Sequence, residues 1–218
     1  MDVYPNTQLP GTLWYHDHAM ASTGFNILKG LKGLYVLRDE KTESALPRGE
    51  YEVIFLAHHY DEPAIISSKL KIFNSDAWYR IRILNSNFAR EYTDLRFLDP
   101  QKKELPFTLI GQDSALMKTP VPGLISFTIT SAERVDILIK FDSKKLKNGD
   151  VVQLHYIDFR GKEKDLARFL IGDRETNQTI LDYVPPKQLD VPFKNLTDPD
   201  IVVNKKRMRP LSFRGLVY

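Results

Sequence analysis

Two histidines, His16 and His18, stand one residue apart and are the residues of this sequence best suited to do chemistry. They follow Trp14 and Tyr15 in a stretch whose residue types favour a β-strand. Alternate side chains of a strand share a face, so the two imidazoles would lie together, with Cα atoms roughly 6–7 Å apart. Neutral imidazole binds copper, zinc, iron and nickel, and this spacing suits two ions about 3.5–4 Å apart better than one tetrahedral ion. The alternative is a pair of polar histidines on the open face of an edge strand.

The elements around this pair are predicted to be almost entirely β-strands. Apolar and polar residues alternate with the period of a strand in several stretches separated by turn residues. These stretches are residues 53–57, 79–83, 125–129, 135–141 and 152–156. Strands at such short intervals predict an all-β fold, a Greek-key sandwich or barrel.

Composition excludes several kinds of function. The chain has 218 residues with 31 basic and 28 acidic side chains, and a net charge of +3 does not indicate a nucleic-acid partner. No apolar run approaches the roughly 18 residues that span a bilayer, so no membrane span is predicted. The sequence has no cysteine, which excludes disulfides and thiolate chemistry. It also excludes a blue-copper site, because the ligand that defines such a site is a cysteine thiolate.

Three stretches together resemble the multicopper oxidases, and in particular their spore-coat laccase, bilirubin oxidase and phenoxazinone synthase branch. Residues 4–39 contain the Trp-Tyr-His-Asp-His element and are similar to the end of the first cupredoxin domain of that family. Residues 107–117 and 131–139 are similar to two architectural strands of its second domain. The resemblance implies that His16 and His18 each bind a different copper of a binuclear pair, within a trinuclear copper cluster. It places Asp17 away from the metals, either in their surrounding hydrogen-bond network or simply in solvent.

The same resemblance implies a division of the chain. Residues 1–45 correspond to the C-terminal part of a first cupredoxin-like domain, and residues 48–172 to a complete second domain. Residues 173–206 are expected to be an interdomain linker, and residues 207–218 the first strand of a third domain. The chain is therefore expected to be a partial sequence whose parent polypeptide contains the rest of domains one and three. The adjacent pair His58 and His59 is expected to have a surface or loop role.

The function implied is oxidation of a small-molecule reductant in one-electron steps, coupled to reduction of O2 to water, with copper as the cofactor. Because this chain lacks the cysteine and the other copper ligands of the family, it is expected to be inactive alone. Two alternatives remain. One is a non-catalytic cupredoxin-like module used for structure or binding. The other is a two-histidine metal hydrolase, which would require a further ligand that the sequence does not suggest. The resemblance favours an extracellular or surface location, which the residues themselves do not decide.

Overall fold

The structure is built from short strands joined by turns. The computed structural model describes residues 4–59, 63–65, 72–88, 90–158, 160–172 and 178–192. In chain order the strands are β1 (Gly11–His16), β2 (Lys32–Leu37), β3 (Glu52–His59), β4 (Pro63–Ile65), β5 (Ile72–Asn74), β6 (Trp78–Asn85), β7 (Tyr92–Leu98), β8 (Glu104–Leu105), β9 (Phe107–Gln112), β10 (Ala115–Leu124), β11 (Phe127–Ile129), β12 (Arg134–Lys140), β13 (Val151–Ile157) and β14 (Glu163–Gly172). The helices are α1 (Thr23–Leu28), α2 (Gln178–Leu181) and a 3-10 turn at Gly49–Tyr51.

Two sheets form the body of the fold, and a separate hairpin precedes them. The first sheet has the strand order β10-β9-β12-β6-β3-β4, and the second has β11-β7-β13-β14-β5 with β8 paired to β7. Strands β1 and β2 form a two-stranded antiparallel sheet of their own, with α1 between them in sequence. The all-β prediction is confirmed, and the alternating stretches 53–57, 79–83, 135–141 and 152–156 all lie on or largely within strands.

The main core lies between the two large sheets, because each strand turns its apolar face inward. Tyr79, Ile81 and Ile83 of β6 are at most 2 % exposed and pack with inward residues of β12. From the second sheet, Phe169 of β14 is fully buried, and its ring lies 5.0–5.9 Å from the rings of four other phenylalanines. This is the pattern expected of a sandwich whose strands alternate between core and outer face.

A second, smaller core covers the outer face of the first sheet. Its buried residues are Leu46, Ile110, Leu116, Leu138, Leu189 and Val191. Leu46 comes from the segment before β3, whereas Leu189 and Val191 come from residues predicted to be a linker. The chain on either side of the sandwich therefore packs back onto the sheet. The predicted division into domains remains a prediction, and residues 193–218, which include the predicted third-domain strand, lie outside the described residues.

The helices of the described segments are short. Helix α1 has six residues and α2 has four, and no helix among the described residues is long and apolar enough to cross a membrane.

Candidate metal centre

His16 and His18 lie side by side at the end of the β1–β2 hairpin. Their ring centroids are 5.7 Å apart, and the ring planes are inclined by 35°. The His16 ring also stacks on Trp14, with centroids 4.5 Å apart and planes inclined by 29°. His16 is partly buried and His18 is exposed to solvent. The structure thus brings together the two histidines that the sequence singled out.

The local backbone differs from the prediction that one strand carries both histidines. Strand β1 ends at His16, and His18 lies in the connection to α1. The chain leaves the strand because Asp17 forms a turn: its Oδ2 accepts hydrogen bonds from the Ala19 amide at 3.1 Å and from Asn26 Nδ2 at 2.6 Å. The bond from Asn26, then that from Ala19, hold the pKa of Asp17 below its ordinary value. The charged carboxylate shapes the loop that carries His18.

The hydrogen bonding of His16 determines which ring nitrogen can bind a metal. Nδ1 of His16 lies 2.8 Å from the carbonyl oxygen of Asp17. A carbonyl oxygen only accepts, so Nδ1 must carry the proton and donate it, leaving the lone pair on Nε2. Metal-binding histidines commonly have this arrangement, in which one nitrogen donates to a carbonyl and the other binds the metal. His16 is therefore in the tautomer that suits metal binding through Nε2.

The pair supplies two donors of a metal site. Among the described residues, no group of three or more histidine, aspartate and glutamate side chains is arranged around one metal ion. Asp17 is already bonded within its turn. Copper is one of the metals that neutral imidazole nitrogens bind, so the pair is chemically suited to copper. Further ligands would have to come from outside the described residues.

A lysine attaches the same end of the hairpin to the sandwich. Lys32 of β2 pairs directly across from His16 of β1. Its Nζ donates to the backbone oxygen of Ser86 at 2.5 Å and also contacts Nδ1 of His58. Burial lowers the pKa of Lys32 to about 8. His58 is 2 % exposed, so its predicted surface or loop role is wrong: it lies on β3, where the hairpin covers it.

The outer face of the first sheet contains a buried group of charges that the sequence did not reveal. Arg80 and Arg82 of β6 are both fully buried. We use "arginine–acid cluster" for these two arginines, the carboxylates that pair with them, and Arg38, which pairs with Glu52. The carboxylates are those of Glu43, Glu52 and Asp136. The cluster contains three basic and three acidic groups, so its formal charges balance. Unpaired charges in such a place would be strongly unfavourable, which explains why every member has an opposite charge beside it.

Short hydrogen bonds connect the members of this cluster. Oε1 of Glu43 accepts from Arg80 Nη1 and from Arg82 Nη2, each at 2.7 Å. Arg80 also binds Asp136 through Nε and Nη2, at 2.6–3.1 Å. Arg82 Nε donates to Glu52 at 2.7 Å. Glu43 lies between the two arginines and joins the segment before β3 to the sheet.

This pairing shifts the pKa values of Arg80 and Glu52. Burial alone would lower the pKa of Arg80, but the charge and hydrogen bonds of Asp136 and Glu43 outweigh it and raise that pKa. Burial alone would raise the pKa of Glu52, and the hydrogen bond from Arg38 together with the charge of Arg82 keeps it below its ordinary value. Both groups are therefore charged near neutral pH.

The cluster also reaches the strand that carries His16. Nη1 of Arg82 donates to Oγ1 of Thr12 at 2.9 Å, and Nε of Arg134 donates to the backbone oxygen of Thr12 at 2.9 Å. Arg134 also pairs with the carboxylate of Asp113, at 3.2 Å. The sequence signal for the cluster was the pair of arginines at alternate positions of an otherwise apolar strand. Their partners are too distant in sequence to be recognised from it.

Comparison with known proteins supports this fold. The chain is 30% identical to "Multicopper oxidase LPR1 homolog 1" of Oryza sativa subsp. japonica, over 86% of this chain and 38% of that protein. It is also 30% identical to the bilirubin oxidase of Albifimbria verrucaria, over 89% of this chain and 39% of that protein. The McoA multicopper oxidase of Aquifex aeolicus has the same fold over 88% of this chain and 47% of its own, with a TM-score of 0.68 and 22% identity. No family model matches the chain.

The fold is thus a cupredoxin-like β-sandwich preceded by a hairpin that carries paired histidines. The chain is a relative of the multicopper oxidases, which are copper-dependent oxidoreductases. It spans about two-fifths of the length of the two curated relatives named above, 38% and 39%.

Proposed function

We propose that this chain contributes two copper ligands, His16 and His18, to a multicopper oxidase whose other ligands lie outside the chain. The observation that carries the proposal is the paired arrangement of the two rings, 5.7 Å apart, with Nε2 of His16 left as an electron-pair donor. The relatives support copper as the metal. In the whole protein the two imidazoles would bind the two ions of a copper pair, one ion each.

The reaction proposed for the whole protein is one-electron oxidation of a small-molecule reductant, coupled to reduction of O2 to water. Bound copper would supply the redox chemistry of this reaction. The residues of this chain would hold and orient the metals: Asp17 O keeps His16 in the required tautomer, and Trp14 supports its ring. The entry of electrons requires a blue-copper cysteine, which this sequence does not contain. We therefore expect the chain by itself to bind copper through the two histidines without catalysing the oxidation.

Titration of the purified chain with Cu(II), followed by electron paramagnetic resonance, tests the ligand assignment. We expect nitrogen hyperfine coupling from imidazole that disappears in His16→Ala and His18→Ala. His155→Ala is the matched control, because His155 lies on the second sheet and is bonded to Asp165. Equal Cu(II) affinity in the wild type, His16→Ala and His18→Ala would contradict the assignment.

The alternative is a non-catalytic cupredoxin-like module, which the small number of metal-binding side chains at the site supports. His16 and His18 have no third metal-binding side chain arranged with them in the described part of the chain. Transcript sequencing separates the two proposals. The oxidase requires a further His-x-His upstream and a His-Cys-His downstream in the same message, whereas the module requires neither. O2 consumption by the isolated chain with copper and a phenol would contradict both proposals.

A further inference from the structure

Polar contacts near the first residue of each strand hold the β1–β2 hairpin against the sandwich. Because the strands are antiparallel, these contacts lie at opposite ends of the hairpin. Thr12, near the start of β1, is 3 % exposed and binds Arg82 and Arg134. Lys32, at the start of β2, binds the Ser86 oxygen. Gly11 lies against the β9–β10 turn so closely that a Cβ there would be 2.5 Å from the backbone oxygen of Ser114. The position of β1 is therefore fixed at its first residues by close and specific contacts.

Alternation along β1 links these contacts to the histidines. Thr12, Trp14 and His16 stand at every second position of a strand, so their side chains share one face. The stacking of Trp14 on His16 at 4.5 Å shows this directly. The face that meets the arginine–acid cluster at Thr12 is thus the face that presents the His16 ring four residues later.

We infer that Thr12 and Arg82 are positioning residues for the His16–His18 metal site. Arg82 is buried and held by Glu43 and Glu52, so its Nη1 has a fixed position. Its bond to the Thr12 hydroxyl sets which face of β1 is turned to the sandwich. A change of one residue in that register would turn His16 to the opposite face. This inference rests on the proposed function for its metal, but the orientation of the ring can be measured without metal.

Thr12→Val tests the inference, because valine keeps the shape of threonine and removes the hydroxyl. We expect Cu(II) affinity about tenfold weaker in Thr12→Val, the equivalent of one hydrogen bond to a charged group, and near wild type in Thr12→Ser. In the metal-free chain, the imidazole NMR signals of His16, assigned with His16→Ala, should shift in Thr12→Val and be restored in Thr12→Ser.

Ile137→Val provides the matched control for general destabilisation, since Ile137 is fully buried in the main core away from the hairpin. It should lower stability and leave both the affinity and the His16 signals unchanged. If Thr12→Val does not fold, Arg134→Gln removes the other contact to Thr12 and should shift the same signals. Wild-type His16 signals in folded Thr12→Val, or in Arg134→Gln where Thr12→Val does not fold, would overturn the inference. Failure of the wild type to bind Cu(II) would overturn the proposed function, while the metal-free signals would still decide the role of Thr12.

Discussion

Replacement of Arg82 by methionine should be among the most destabilising single changes in this chain. Arg82 donates hydrogen bonds to Glu43, Glu52 and Thr12 and lies 3.4 Å from a carboxylate oxygen of Asp136. Arg82→Met removes one of three positive charges and leaves three buried or nearly buried carboxylates with two arginines. Removal of one partner from a buried ion pair typically lowers the free energy of unfolding by about 3–5 kcal/mol. We expect a loss in that range.

Urea unfolding followed by tryptophan fluorescence measures this loss. With a urea dependence of about 3 kcal/mol per molar, suited to a chain of this size, the midpoint should fall by roughly 1–2 M. Arg38→Met is the matched control: its side chain is 45% exposed and pairs with Glu52 from the solvent side, so the loss should be at most about 1 kcal/mol.

A double-mutant cycle separates charge balance from packing. Glu43→Gln in the Arg82→Met background restores equal numbers of positive and negative groups. The combined loss should therefore be smaller than the sum of the two single losses, by about 0.5–3 kcal/mol. Strict additivity, or a midpoint for Arg82→Met that matches Arg38→Met, would refute the view that the buried charges depend on one another.

Two further predictions concern the core and the response to acid. Phe169→Ala should lower the free energy of unfolding by about 3–5 kcal/mol in the same urea assay, since the ring is fully buried among other aromatic rings. A loss below about 1 kcal/mol would contradict the described core. The pKa of Glu52 is lower in the folded chain than its ordinary 4.5. The charged carboxylate therefore stabilises the fold fully above pH 4.5, and this stabilisation is lost as the pH falls through the folded pKa. As the pH falls below about 5, the wild type should therefore lose more stability than Glu52→Gln. Equal slopes would show that Glu52 is not held charged by Arg38 and Arg82.

The sequence predicted the strands well because their signal is local. Alternation at 79–83 and 135–141 shows which side chains face a core, and both stretches lie in the centre of the first sheet. Three stretches, residues 4–39, 107–117 and 131–139, were enough to recognise the family resemblance. The pairing of His16 with His18 was also predictable, since a separation of two residues keeps the rings close even though the strand ends between them.

The surroundings of that pair could not be predicted in this way. Alternation marks Arg80 and Arg82 as the polar side of β6, which suggests solvent, but it cannot show that another segment covers that side. The covering residues Glu43 and Thr12 are 37 and 70 positions away from their arginine partners. His58 was misjudged for the same reason, because the hairpin that buries it begins far earlier in the chain.

By itself, then, the sequence determined the all-β fold, the histidine pair and the absence of a cysteine for blue copper. Only the tertiary structure decided that Glu43 pairs with both arginines of β6 and that Lys32 reaches His58. It also decided that buried arginines hold the strand through Thr12. The physical reason is that strand formation and ligand type depend on neighbouring residues. Burial, charge pairing and the orientation of a ring depend on which distant segments meet.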